Sequence, residues 1–256
     1  MTTVYLVTGV LGALIGSFLN VCIHRIPRGE SIVHPRSRCP HCQAMIRFYD
    51  NLPILSFIIL RGRCRQCRAP ISWRYPLVEM INAGGYLFLL WKFGLGWQLL
   101  VFAMLFSALL AVTFIDLSHQ IVPDRITLPG MVVGALAAAT VLPIGLVNAL
   151  IGILLGGGLF YLIAIVGSWW LGQEAMGGGD IKLIAMIGAF LGWKEVLVTI
   201  FIAALIGSIV GLFLMIAFGK DRKYAVPFGP FLALGAVISL CWGSEILLWY
   251  SQLGSS

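Results

Sequence analysis

Two kinds of side chain in this sequence can do chemistry: a few isolated carboxylates and two pairs of cysteines. Asp116 stands in TFIDLSHQIVPDRIT, Asp124 follows in the same stretch, and Asp180 stands in MGGGDIKL. Each falls at the edge of an apolar run. A carboxylate is costly in such a place and signals function by default. Two carboxylates brought face to face cannot both ionise cheaply, so the pair holds one proton between them. The ionised member can then take a proton from water as general base. The protonated member can polarise a peptide carbonyl and donate to it. This is aspartic-peptidase chemistry, with neither a covalent nucleophile nor a metal. Asp116 and Asp180 are far apart in the chain, so only the fold can make them partners.

The approach to Asp180 is made of Gly177, Gly178 and Gly179. Glycines let another backbone come close and permit dihedrals closed to other residues. A scissile peptide needs such access. Read locally, GGGD is equally a loop ending in an N-cap aspartate. Asp124, between Pro123 and Arg125, reads as a turn or cap residue pairing with that arginine. The stretch lacks the spacing, the preceding strand and the lysine motif of dinucleotide and phosphate loops.

The cysteines form CPHC (Cys39, Cys42) and CRQC (Cys64, Cys67), spaced C-x2-C-x21-C-x2-C. Two such turns can close a tetrahedral thiolate site for structural zinc, with no position left for catalysis. A segment of this size has little core, so a metal staple suits it. Cys22 and Cys241 lie in apolar runs and read as small buried side chains. His41 reads as surface.

These residues must be positioned by membrane-embedded elements. The chain of 256 residues is 60% hydrophobic and 11% charged, with mean hydropathy +0.98. Soluble domains carry about 25% charged residues. The expected fold class is an all-α polytopic membrane protein, with about eight transmembrane helices and a small cytoplasmic zinc-binding loop domain. The segments expected to span are 3–24, 76–93, 97–115, 127–143, 147–171, 180–193, 196–218 and 228–250. The fourth and sixth are short, and both follow acidic residues. The first apolar run has no basic region before it and no cleavage site, and reads as a retained helix. The domain reading is residues 1–24 as a first transmembrane helix, 25–75 as a basic cytoplasmic loop with a four-cysteine zinc site, and 76–256 as the helical bundle.

Net charge is +7, and ten of the 17 Lys and Arg lie between Arg25 and Arg74. A basic loop beside a membrane helix marks the cytoplasmic side. With that loop inside, Arg125, Lys182, Lys220, Arg222 and Lys223 also fall inside, and only Lys92 and Lys194 fall outside. Both termini are then external. The basic balance reads as a membrane signature, with lipid and no nucleic acid as partner. A proton-coupled transporter with a zinc-stapled loop is the alternative reading of membrane carboxylates, although no internal repeat of the transporter kind is evident.

Long ordered blocks of the chain resemble a known family. They are GSFLNVCIHRIPRGESIVHPRSRCPHC from Gly16, YDNLPILSFIILRGRCRQCRAPISWRYPLVE from Tyr49, FIDLSHQIVPDRITLP, MGGGDIKLIAMIGAFLGW, and VPFGPFLALG from Val226. The chain resembles the bacterial prepilin peptidases, GxGD-type aspartic peptidases that are also N-methyltransferases. The resemblance implies an inner-membrane enzyme. It would cut the basic leader from type IV prepilins or type II secretion pseudopilins at the cytoplasmic face. It would then methylate the new N-terminus with S-adenosylmethionine. The family's catalytic aspartates match Asp116 and Asp180, and its zinc ligands match Cys39, Cys42, Cys64 and Cys67. The basic loop with Glu79 beyond it resembles the region associated with methyl transfer, although no residues holding the donor are evident. Glu174 reads as a solvated loop acid or a docking charge for a basic leader. The oligomeric state is not legible.

Overall fold

The structure is a computed structural model that describes residues 1–172, 176–218 and 226–253. It is all-helical, and no strand occurs among the described residues. The helices are α1 (Thr2–Arg25), α2 (Leu55–Ile59), α3 (Arg74–Phe93), α4 (Trp97–His119), α5 (Asp124–Thr140), α6 (Gly145–Leu171), α7 (Gly178–Leu191), α8 (Trp193–Phe218) and α9 (Gly229–Leu253). Eight of them fall on the eight apolar segments of the sequence. Five are long and apolar enough to cross a bilayer: Thr2–Arg28, Trp97–His119, Gly145–Trp170, Trp193–Ala217 and Gly229–Gln252. These fit a multi-pass membrane protein. α5 and α7 fall short by length, with 17 and 14 residues. α3 has the length but carries more polar groups.

The chain forms two compact units, Met1–Ala111 and Val112–Ser256. In the first, α1 and α3 run antiparallel. A Cβ on Gly12 would stand 2.8 Å from the Ala83 Cα, and one on Gly16 would stand 2.7 Å from the Glu79 Cα. Further along, the Asn20 amide donates to the Tyr75 carbonyl at 3.1 Å. Small residues thus let the two backbones touch, as membrane helices require. Deep in the pair, buried Asn82 donates to the Gly12 carbonyl at 2.8 Å and accepts from Ser107 at 3.0 Å. Ser107 in turn meets the Tyr86 hydroxyl at 3.0 Å. Every polar atom of this buried chain therefore has a partner, as a low-dielectric interior demands.

In the second unit, α5 and α7 run parallel. Gly130 lies against Met186, and one turn on Gly134 lies against Phe190. α6, which joins them in the chain, runs in the opposite direction and touches α7 where Gly152 meets Gly188. The parallel pair starts at one end of the unit, so the acidic residues that open α5 and α7 come to the same end. Gly192, at φ +83°, ends α7 in a conformation open to glycine, and α8 begins at once. α8 and α9 pack antiparallel, with the Ser239 hydroxyl on the Glu195 carbonyl at 2.7 Å.

Candidate active site and metal centre

Asp116 lies one turn before the end of α4 and is buried, 5% exposed. Its Oδ2 accepts a hydrogen bond from the Gly229 N–H at 2.9 Å. Gly229 opens α9, where the first four N–H groups of a helix have no partner within it. One of them is aimed at the carboxylate. A Cβ on Gly229 would stand 2.7 Å from that same oxygen, so a side chain there would push the carboxylate aside.

Asp180 is the third residue of α7, not its cap. Gly177 holds the N-cap position, and the Asp180 N–H bonds the Gly177 carbonyl at 3.1 Å. A carboxylate in the first turn faces the positive end of the helix dipole. Asp116 lies within electrostatic reach of Asp180. The fold therefore brings both aspartates into one neighbourhood, and both belong to the second unit.

The glycine run divides into two parts. Gly179 packs against the link between α4 and α5, where a Cβ would stand 2.7 Å from the Val122 Cβ. Gly178 faces open space and Gly177 is exposed. Asp124 opens α5 with Pro123 as its N-cap. The expected Arg125 partner gives way to Lys182, whose ammonium donates to both Asp124 oxygens at 2.7 Å. Neighbours in sequence lose here to neighbours in space, because parallel packing sets the first turns of α5 and α7 side by side. Glu174 lies outside the described residues.

In the first unit, the two cysteine turns are built alike. The Cys39 N–H bonds the Ala44 carbonyl at 2.9 Å, and the Cys64 N–H bonds the Ala69 carbonyl at 2.8 Å. Gln43 and Arg68 occupy matching left-handed positions, at φ 57° and 58°. The four Sγ atoms lie within 4.8 Å of one another, and the Cys39–Cys67 pair is 3.8 Å apart. Four sulfurs at about 2.3 Å around a tetrahedral ion would stand about 3.8 Å apart. The tetrad can therefore hold a metal ion, and its donor set suits zinc. The N–H groups of Cys67 and Gln66 pull the Cys64 thiol down to about 6. The Ala69 N–H favours the Cys67 thiolate, yet burial and hydrogen bonds to Cys42, Cys64 and Cys39 push that thiol up to about 11. Four crowded thiols cannot all ionise unless a cation compensates them. Arg65, inside the second turn, clamps Asp50 with a 2.6 Å ion pair and holds the Asp50 carboxyl below its usual range. His41 is exposed, and Cys22 and Cys241 are buried, as their sequence contexts imply.

Residues 10–93 match the bacterial peptidase A24 N-terminal domain, and residues 103–212 match the type IV leader peptidase family. The prepilin leader peptidase/N-methyltransferase of Legionella pneumophila is 37% identical over 96% of this chain and 94% of its own. The proteins of the same name from Pseudomonas aeruginosa and Stutzerimonas stutzeri are 37% and 36% identical. They cover 96% and 95% of this chain, and 93% and 92% of their own. The chain belongs to the prepilin leader peptidase/N-methyltransferase family. It is accordingly an enzyme of peptidase type. No solved structure matches this leader peptidase family member. The first matched region carries the cysteine tetrad, and the second carries Asp116, Asp124 and Asp180. Gly229 lies beyond both. The sequence reading assigned Gly229 no role. It lies in the VPFGPFLALG block, and only the fold shows that its amide meets Asp116.

Proposed function

We propose that this chain is a membrane-embedded aspartic endopeptidase that removes the basic leader of type IV prepilins or pseudopilins and then N-methylates the new terminus. The observation that carries the reading is that the link leaving α4 just beyond Asp116 packs on Gly179, the neighbour of Asp180, with the two carboxylates in electrostatic reach of each other. Family relatives that bear both activities in their names support it.

Asp116 and Asp180 hold one water between them. An N–H aimed at a carboxylate favours its charged form. The Gly229 amide therefore suits Asp116 to be the base and leaves the shared proton on Asp180. Asp116 takes a proton from water as its oxygen bonds to the scissile carbonyl carbon. Asp180 gives its proton to the carbonyl oxygen. The tetrahedral species then collapses: one of its hydroxyls returns a proton to Asp180, the C–N bond breaks, and the amine leaves with the proton held by Asp116. Gly177 and Gly178 leave room for the substrate backbone, while Gly179 sets the spacing of the helix starts. α7 is only about 21 Å long at 1.5 Å per residue, against a hydrocarbon core of about 30 Å. Asp180 is thus recessed from one membrane face. The basic loop makes that face cytoplasmic and both termini external.

Cys39, Cys42, Cys64 and Cys67 would hold a zinc ion that staples the loop between α1 and α3. With four protein thiolates as ligands it would serve structure and not cleavage. S-adenosylmethionine is the methyl donor that the family name implies. The soluble strand–loop–helix cradle for that donor has no counterpart among the described residues, which include no strand.

The test is the mass of a purified prepilin after incubation with the enzyme and the methyl donor. The product should lose its leader and gain one methyl group. Asp116→Asn and Asp180→Asn should each leave the prepilin uncut. Retained cutting by either would remove that residue from the site. Substrate-dependent proton flux in liposomes without cutting would instead favour the transporter reading.

A further inference from the structure

The loop between α1 and α3 is basic, yet its centre reads LPILSFII, from Leu52 to Ile59. Within it, α2 leaves Leu55, Ile58 and Ile59 57%, 64% and 70% exposed. The register of α1 and α3 shows how deep this stretch lies. Arg25 ends α1 on the basic side, and Glu79 of α3 sits beside Gly16 of α1. Nine residues of helix separate those levels, so Glu79 lies about 13 Å below Arg25. The Ile54 N–H donates to Glu79 Oε2 at 2.7 Å. Ile54 does so at φ 61°, a conformation that β-branched residues adopt only when their surroundings hold them. The entry to α2 is thus pinned to a buried carboxylate at hydrocarbon depth.

A cleft of about 490 Å³ opens between α2 and the first turns of α3, walled by Ile54, Phe57, Ile58, Pro76 and Met80. Arg61, its one cationic lining residue, and Trp73 also line it. Arg61 follows directly on the α2 terminus in a left-handed turn, with its N–H bonded to the Ile58 carbonyl at 3.0 Å. Ring centroids of Trp73 and Phe57 are 4.6 Å apart. The combination is an apolar slot against a membrane helix, lined also by one tryptophan and one exposed arginine. The surrounding residues 25–74 hold ten basic and two acidic side chains, so the whole surface favours anions.

We propose that α2 is submerged in the lipid leaflet on the basic side. Its cleft with α3 holds an acyl chain of an anionic phospholipid, whose phosphate is bound by Arg61. The loop that carries the cysteine tetrad is thereby anchored to the membrane surface independently of any substrate. The occupant is a lipid because the slot continues a membrane helix and carries a single cationic lining group.

The full chain and its Trp73→Phe variant, reconstituted in phosphatidylcholine vesicles, isolate the Trp73 emission by difference. Quenching is then compared between equal fractions of acyl-brominated phosphatidylglycerol and acyl-brominated phosphatidylcholine. The anionic lipid should quench about fivefold more effectively, the preference one basic side chain gives near a membrane. Arg61→Lys should keep that preference. Arg61→Gln, checked for unchanged helicity, should remove it. Three results would overturn the site: no quenching by either lipid, equal quenching by both in the unsubstituted chain, or a preference that survives Arg61→Gln.

Discussion

At the scale of single residues, the proposed mechanism asks as much of Gly229 as of either aspartate. Its amide holds Asp116 Oδ2 at 2.9 Å, and a side chain there would collide with that oxygen. Gly229→Ala should leave the chain inserted and helical, because the first turn of a helix accepts alanine. It should lower kcat for prepilin cleavage about 100-fold, the cost of displacing a catalytic group by about an ångström. Steady-state rates on a purified prepilin check this, and near-normal kcat would dismiss the contact. The sequence exposed the two aspartates through their cost in an apolar context. It hid Gly229 because a backbone N–H has no side-chain signature. It also suggested Arg125 as the partner of Asp124, since local reasoning counts residues along the chain and not across helices.

At the scale of elements, the parallel packing of α5 and α7 decides where the chemistry sits. The Asp124–Lys182 pair ties their first turns together, two residues beyond Asp180. Both side chains are well exposed, at 53% and 41%, so the pair contributes under about 1 kcal/mol to stability. Asp124→Asn should therefore barely move the unfolding temperature. It should lower kcat/KM about two- to fivefold by loosening the Asp180 turn. The exchanged pair Asp124→Lys with Lys182→Asp should recover most of that loss. Cleavage rates of the three variants decide it, and an exchanged pair no better than the single change would deny the pair a positioning role.

The cysteine turns give a second prediction for an element. The Cys64 thiol is held at about 6, below the ordinary thiol value of 9.0, by the N–H groups of Cys67 and Gln66. Its thiolate is therefore fully present above the ordinary value and is lost as pH falls through about 6. Metal binding requires deprotonated thiols, so transfer of bound zinc to a chelator should quicken as pH falls. Cys64→Ser should bind no zinc at any pH. A transfer rate flat from pH 8 to 5 would contradict the ligand assignment.

For the whole molecule, much was legible from the chain alone. Apolar run lengths marked where the helices lie, and the C-x2-C spacing brought the four sulfurs together. The number of spans is less direct: among the described residues five helices meet the length and apolar requirements, and α3, α5 and α7 do not. Those three carry or border the polar groups Glu79, Asp124 and Asp180. Helix direction and register were invisible, because glycines such as Gly16 and Gly179 record close approach without naming the partner. The same blindness concealed α2, whose eight-residue apolar stretch is too short to announce a membrane element.

The central claim is that Asp116 and Asp180 act as one unit. Single-turnover cleavage of a purified prepilin by Asp116→Asn, Asp180→Asn and the double variant tests it most directly. Residues that share one water and one proton lose everything when either is removed, so effects within such a unit are far from additive. The account expects each single variant to be as slow as the double. A double variant slower than either single one by the product of their separate losses would show two independent residues, and would contradict it.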